Sequence, residues 1–176
     1  MKNITVIGTG YVGLVSGAGI SDFGNNVCCA DIDKEKIELL NNGVIPIYEP
    51  GLDELFKRNI ESKRLIFTDN VDDSVGSAEV IFIAVGTPED KTGNADITAV
   101  LQVAELIGKN LNNYKVICTK STVPVGTGKK IIDVINKYNQ NNIEFDYCSN
   151  PEFLREGKAV SDFLQPDRVV LGLTAK

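Results

Sequence analysis

The stretch that decides the fold is Asn3-Ile4-Thr5-Val6-Ile7-Gly8-Thr9-Gly10-Tyr11-Val12-Gly13-Leu14. A short apolar run passes directly into three glycines spaced G-x-G-x-x-G. Ile4 to Ile7 is continuously apolar rather than alternating, as expected for a strand buried on both faces. The residues from Tyr11 to Phe23 are small and apolar and predict a helix packed tightly on a sheet. In that context each glycine has a mechanical role. Gly8 makes a tight turn, Gly10 lets a ligand approach the backbone, and Gly13 allows the helix to lie close on the strand. The first turn of such a helix offers unpaired N–H groups and a partial positive charge, which suit a pyrophosphate.

An acid completes the pattern. Asp31 ends the second predicted strand (Asn26 to Ala30), eighteen residues after Gly13. A carboxylate at about this spacing accepts hydrogen bonds from a ribose, and it repels a 2′-phosphate, so NAD is favoured over NADP. The competing reading is a helix cap for the Lys34-Glu35-Lys36 helix, for which Asp33 is an equally good candidate. Lys36 is placed to reach the adenosine end, although a solvated surface lysine would look the same.

Beyond this unit, strand and helix signals alternate. Helices are predicted over Asp33 to Asn42, from Pro50-Gly51 through Leu55, over Val71 to Ser77, Asp96 to Asn110 and Gly128 to Tyr138. Strands are predicted over Leu65 to Thr68, Glu79 to Val85, Lys115 to Thr119, Phe145 to Ser149 and Arg168 to Leu173. The alternation predicts an α/β fold of Rossmann type: a doubly wound, mostly parallel sheet with helices on both faces. One domain is expected over 1–176. The chain stops soon after its last predicted strand, at Leu173-Thr174-Ala175-Lys176, which suggests a domain cut from a longer protein.

Composition narrows the function classes. The net charge of −6 disfavours a general nucleic-acid role, since polyanion binding needs basic surface. No stretch predicts a membrane span. No secretory signal is read at the N-terminus, so a cytoplasmic protein is expected. There is no histidine, which removes the commonest general base and any Ser-His-Asp triad. Cys28, Cys29, Cys118 and Cys148 form no CxxC pair, and no metal site is expected; they read as buried free thiols.

Three further segments fall at predicted carboxyl ends of strands, where ligands of such sheets bind. Val85-Gly86-Thr87-Pro88 would form a backbone wall beside a cofactor, or an ordinary turn. Lys120-Ser121-Thr122-Val123-Pro124-Val125-Gly126 would place hydroxyls in the same crevice, unless Thr122 or Thr127 merely caps the following helix. In Asn150-Pro151-Glu152-Phe153-Leu154-Arg155-Glu156-Gly157, Glu152 and Glu156 are four apart. If Pro151 starts a helical turn, both carboxylates share a face, suited to proton transfer, water positioning or binding a substrate hydroxyl.

Taken in order with Ile47-Tyr48-Glu49-Pro50-Gly51-Leu52 and Gln165-Pro166-Asp167-Arg168-Val169, these motifs resemble the nucleotide-sugar 6-dehydrogenases, the UDP-glucose/GDP-mannose dehydrogenase family. The resemblance covers essentially the whole chain and is closest on the UDP-glucose side. It implies NAD-dependent oxidation of a sugar C6 alcohol to a carboxylate in two steps, with UDP-glucose as substrate. It implies cofactor contacts at Gly8, Gly10, Tyr11, Val12, Gly13, Asp31, Lys36, Val85, Gly86, Thr87, Pro88, Ser121, Thr122 and Glu156. It implies a substrate segment of Glu152, Phe153, Leu154, Arg155 and Glu156, with Thr122, Glu152 and Glu156 as the catalytic group. The Tyr48-Glu49-Pro50 loop lies near the site in this picture, without an assigned role.

Family members continue well beyond this length, through a central helix and a UDP-binding domain, and the complete protein is expected to be a homo-oligomer. The missing part carries the nucleophilic cysteine, whose thiolate forms the thiohemiacetal that gives up the second hydride. None of the four cysteines here falls in that motif, so the chain alone is expected to be inactive. The alternatives are a related dehydrogenase acting on a UDP-N-acetyl sugar or GDP-mannose, or a Rossmann module that senses NAD without chemistry.

Overall fold

The computed structural model describes residues 1–173. Seven strands form one sheet in the order β3-β2-β1-β4-β5-β6-β7. These are β1 Asn3–Ile7, β2 Asn26–Ala30, β3 Leu65–Thr68, β4 Val80–Ile83, β5 Lys115–Thr119, β6 Phe145–Ser149 and β7 Gly172–Leu173. The first six run parallel to one another and β7 is antiparallel to β6. The helices are α1 Tyr11–Asp22, α2 Lys34–Asn41, α3 Leu52–Glu61, α4 Val71–Ser77, α5 Thr98–Asn110, α6 Thr127–Tyr138 and α7 Ala159–Leu164. This is the doubly wound arrangement, with its order reversing between β1 and β4.

Strand alternation divides the core into two layers. Ile4 and Val6 of β1 join Leu14, Val15 and Ala18 of α1 and Leu55 and Phe56 of α3 on one face. Ile7 joins Ile81, Ile83 and Ile117 with Val100, Ala104 and Ile131 of α5 and α6 on the other. Residues of opposite parity in one strand point to opposite faces, and both faces are covered, so the strands read as unbroken apolar runs. Helix α1 is buried from Gly13 to Ser21, since α3 and α7 cover what the sheet does not.

Some boundaries differ from the sequence expectation. The predicted strand at Arg168 to Leu173 shrinks to Gly172–Leu173. Upstream of it, the Val170 carbonyl is taken by the Asn150 side chain at 3.0 Å. Residues 174–176, on which part of the truncation argument rested, lie outside the described residues. Pro151 starts no helix. The Glu152 carboxylate instead accepts the Leu154 N–H at 2.5 Å, and Gly157 adopts a left-handed φ of 83°. Glu152 and Glu156 therefore do not share a helical face. Neither threonine caps α6: Gly126, left-handed at φ 89°, holds that position, and Thr127 is a buried helical residue.

Candidate cofactor and substrate crevice

The turn after β1 has the geometry its glycines require. Gly8 sits at φ 105°, and a Cβ there would lie 2.6 Å from the Ala84 carbonyl oxygen. At Gly13 a Cβ would stand 1.8 Å from the Gly8 carbonyl oxygen, so any side chain would drive α1 off the turn. Gly10 is different. A Cβ there would meet nothing within 4 Å. The space beside Gly10 is open, and no side chain caps α1 or places an acid in its first turn. An exposed helix N-terminus without an internal anion fits a pyrophosphate.

Asp31 follows β2 and is fixed by residues of the turn itself. Its Oδ2 accepts the Thr9 N–H and the Thr9 hydroxyl, both at 2.7 Å, and its Oδ1 accepts the Asp33 N–H at 3.1 Å. A carboxylate has about four acceptor sites, so roughly one remains on Oδ1 for an incoming hydroxyl. Burial pushes this carboxyl up, but the Thr9 and Asp33 donors and the Lys36 ammonium outweigh it and hold it below its usual range. Lys36 Nζ stands 3.7 Å from Asp31 and 3.8 Å from Asp33. The cap of α2 is Asp33, which accepts the Lys36 N–H at 3.1 Å. Thr9 was not among the expected site residues. Its role depends on its hydroxyl reaching a strand end twenty-two positions away.

Beside Asp31 lies an apolar cavity of about 140 Å³, bounded by Ile7, Gly8, Ile32, Val85, Val103 and Leu106 among others. Its walls could hold a flat aromatic base next to a ribose bound at Asp31.

The loops after β4 and β5 are bonded to each other. Thr87 Oγ1 donates to the Thr122 carbonyl at 2.8 Å, and Ser121 Oγ donates to the Val85 carbonyl at 2.7 Å. The Thr122 side chain is left exposed, as are Gly86 and Pro88. Lys120 is 7% exposed and donates to Asn150 Oδ1 at 3.0 Å, with its ammonium 5.9 Å and 5.8 Å from the Phe82 and Phe163 ring centres. Burial holds its pKa below that of an ordinary lysine, with Glu152 opposing the shift. Lys120, Asn150 and Glu152 line a cavity of about 250 Å³ shared with Phe153, Leu154 and Arg168. Arg155 donates to Asp162, another residue of the cavity wall, at 2.6 Å, and Glu156 is exposed.

Residue Glu49 emerges with a place the sequence did not assign. It is buried, and its carboxylate accepts bonds from the Tyr11 hydroxyl, the Gly157 N–H and the Ala159 N–H. Burial pushes its carboxyl up, and these donors more than offset it, holding it below the usual range. Burial and Glu49 together push the Tyr11 hydroxyl well above the ordinary phenol range. Burial disfavours the thiolate form of all four cysteines. Burial raises Cys28 to about 11 and Cys118 to about 12, and Cys29 and Cys148 are also raised. Cys28 is only half-buried, unlike the other three. Among the described residues no helix is long and apolar enough to cross a membrane.

A glycine turn, a pinned ribose-type acid and an apolar cavity at the sheet's switch point define a dinucleotide-binding Rossmann domain. The comparisons carry this further: the chain belongs to the UDP-glucose/GDP-mannose dehydrogenase family, matching its NAD binding domain over residues 2–176. Its cofactor is NAD. It is 53% identical to UDP-glucose 6-dehydrogenase TuaD of Bacillus subtilis over 99% of this chain and 38% of that protein. It superposes on a UDP-glucose dehydrogenase from Pyrobaculum islandicum with a TM-score of 0.95 at 37% identity, covering 99% of this chain and 41% of the other. A ternary complex of GDP-mannose dehydrogenase from Pseudomonas aeruginosa gives 0.93 at 34% identity, covering 98% and 41%. The chain thus spans about two fifths of the length of these relatives.

Proposed function

We propose that this chain is the cofactor half of an NAD-dependent UDP-glucose 6-dehydrogenase that forms UDP-glucuronate. The observation that carries the reading is the meeting of the Gly8–Gly13 turn, the Thr87–Thr122 pair and the Glu152 segment at the carboxyl edge of one sheet. The choice of UDP-glucose over other nucleotide sugars draws on the similarity to TuaD.

NAD, when bound, supplies the hydride acceptor. The protein's own residues do the rest. Gly10, Tyr11, Val12 and Gly13 present backbone to the pyrophosphate, Asp31 takes the ribose hydroxyls, and Lys36 stands at the adenosine end. Val85, Gly86, Thr87, Pro88 and Ser121 form the wall along the cofactor. Thr122 keeps its hydroxyl exposed because Thr87 engages only its carbonyl. Glu152 spends one oxygen on Leu154 and keeps the other to position a water or accept its proton. Phe153, Leu154, Arg155 and Glu156 continue the substrate segment, with Glu156 also near the nicotinamide end. The nucleophile, the uridine contacts and the homo-oligomer interface belong to the remainder of the protein, and a cytoplasmic setting suits this substrate and cofactor.

The test uses the full-length protein with UDP-glucose, UDP-N-acetyl sugars and GDP-mannose, following NADH formation. UDP-glucose is expected to be oxidised and the others poorly. Preference for GDP-mannose or an N-acetyl sugar would move the protein to a sister activity, and NAD binding without oxidation of any of them would make it a sensor.

A further inference from the structure

Glu49 joins the two halves of the crevice through one side chain. It is 4% exposed, deeper than Tyr48 and Pro50 on either side. Its Oε2 accepts from the Tyr11 hydroxyl and from the Gly157 N–H at 2.8 Å, and its Oε1 accepts from the Ala159 N–H at 2.8 Å. Tyr11 is the first residue of α1, inside the glycine turn. Gly157 and Ala159 directly follow the Glu152–Glu156 segment, and this segment has no helix or strand of its own to hold it. Its place is held by the packing of Leu154 on the core, the Arg168–Phe153 contact, the Glu152 bond to Leu154, the Arg155–Asp162 pair and Glu49. Of the hydrogen bonds and ion pair among these, only those of Glu49 reach the cofactor turn.

Three donors converge on two oxygens, an arrangement an ionised carboxylate satisfies and an amide does not, since an amide turns donors of its own toward one of them. A ligand that orders the Tyr11 turn therefore also orders the segment through Glu49, and the second ligand then meets a site already ordered.

We infer that Glu49 is a positioning residue that couples occupancy of the cofactor site to occupancy of the sugar site. The inference rests on the NAD and UDP-glucose reading above. Coupling of this kind is reciprocal, each ligand raising the other's affinity by one common factor.

NADH and UDP-glucose cannot react with each other, so their joint binding can be measured at equilibrium. NADH is titrated by fluorescence into the full-length protein, with and without saturating UDP-glucose. In the unaltered protein UDP-glucose is expected to tighten NADH by about tenfold, within the usual range for coupled sites. In Glu49→Gln this factor should fall to about twofold or less. Tyr11→Phe removes only the phenol bond, should also reduce the factor, and decides the matter alone if Glu49→Gln does not fold. A purely structural Glu49 would lower the melting temperature and leave the factor unchanged. An unchanged factor in either folded variant overturns the inference, as does a factor of one in the unaltered protein. An unaltered protein that binds no UDP-glucose overturns the functional reading itself, which is a separate and visible failure.

Discussion

Two glycines two and five residues into the same turn have opposite reasons for being glycine. At Gly13 the constraint is internal, because a methyl group would overlap the Gly8 carbonyl, which is backbone and cannot swing aside. At Gly10 nothing in the protein occupies the space, and its φ of −76° suits any residue. Gly13→Ala should therefore lower stability by about 1–3 kcal/mol or more, as overpacking does, which urea unfolding would measure. Gly10→Ala should unfold at the same urea concentration as the parent, with NAD affinity reduced about tenfold or more by lost backbone approach. Unaltered NAD binding in Gly10→Ala would remove that residue from the site. Asp31 carries the related prediction: calorimetry should find NAD binding clearly tighter than NADP, and equal affinities would end the argument for a ribose-binding carboxylate.

At the scale of elements, the sheet places the site and side-chain pairs lock the loops. Helix α7 is short, and Arg155 ties it back to the Glu152–Glu156 segment by donating to Asp162 from its backbone N–H and its guanidinium. These donors, led by the guanidinium, lower the Asp162 carboxyl from 3.8 to about 2. A depressed folded-state pKa means the unfolded chain takes up the proton first as acid is added. The pair's contribution is thus fully present above the ordinary aspartate pKa and is lost as pH falls from about 4 toward about 2. Asp162→Asn should melt below the parent at pH 5, with the gap closing toward pH 2. A gap that is constant across this range would mean the pair does not act through charge. The opposite end of the sheet has its own buried charge: Lys115, fully buried in β5, donates to the carbonyls of Gly76 and Ala78 and to Asn113. Nothing in the apolar run around it marks that lysine as an internal one.

For the molecule as a whole, the chain matches an NAD binding domain and carries four thiols raised by burial. None has the low-pKa surroundings that a nucleophilic cysteine needs. The purified chain is expected to bind NAD and to produce no NADH with UDP-glucose, whereas the full-length protein should bind NAD and produce NADH. NADH production by the isolated chain would show that the residues present suffice for at least the first hydride transfer, which needs no thiol.

The alternation of strand and helix, the turn at Gly8–Gly13 and the acid at position 31 were legible because each rests on local rules. Buried parallel strands must be apolar throughout, a turn under a helix must lack side chains, and a strand end falls at a fixed distance from the turn before it. The later motifs carried their family resemblance in the residues themselves, taken in order along the chain. What local pattern could not supply is which loops touch. The Thr87–Thr122 bond spans 35 positions, Lys120–Asn150 spans 30 and Glu49–Ala159 spans 110. The expected helical turn at Pro151 failed for the same reason, since the backbone there is held by Glu152, Asp162 and Glu49 rather than by its own helical bonds. Neighbouring residues set the strands, helices and tight turns, whereas the pairing of distant loops follows from the strand order, which brings the ends of β1, β4, β5 and β6 to one edge. The glycine turn thus stands in the chain as a pattern, and Glu49 acquires its place only when that edge is assembled.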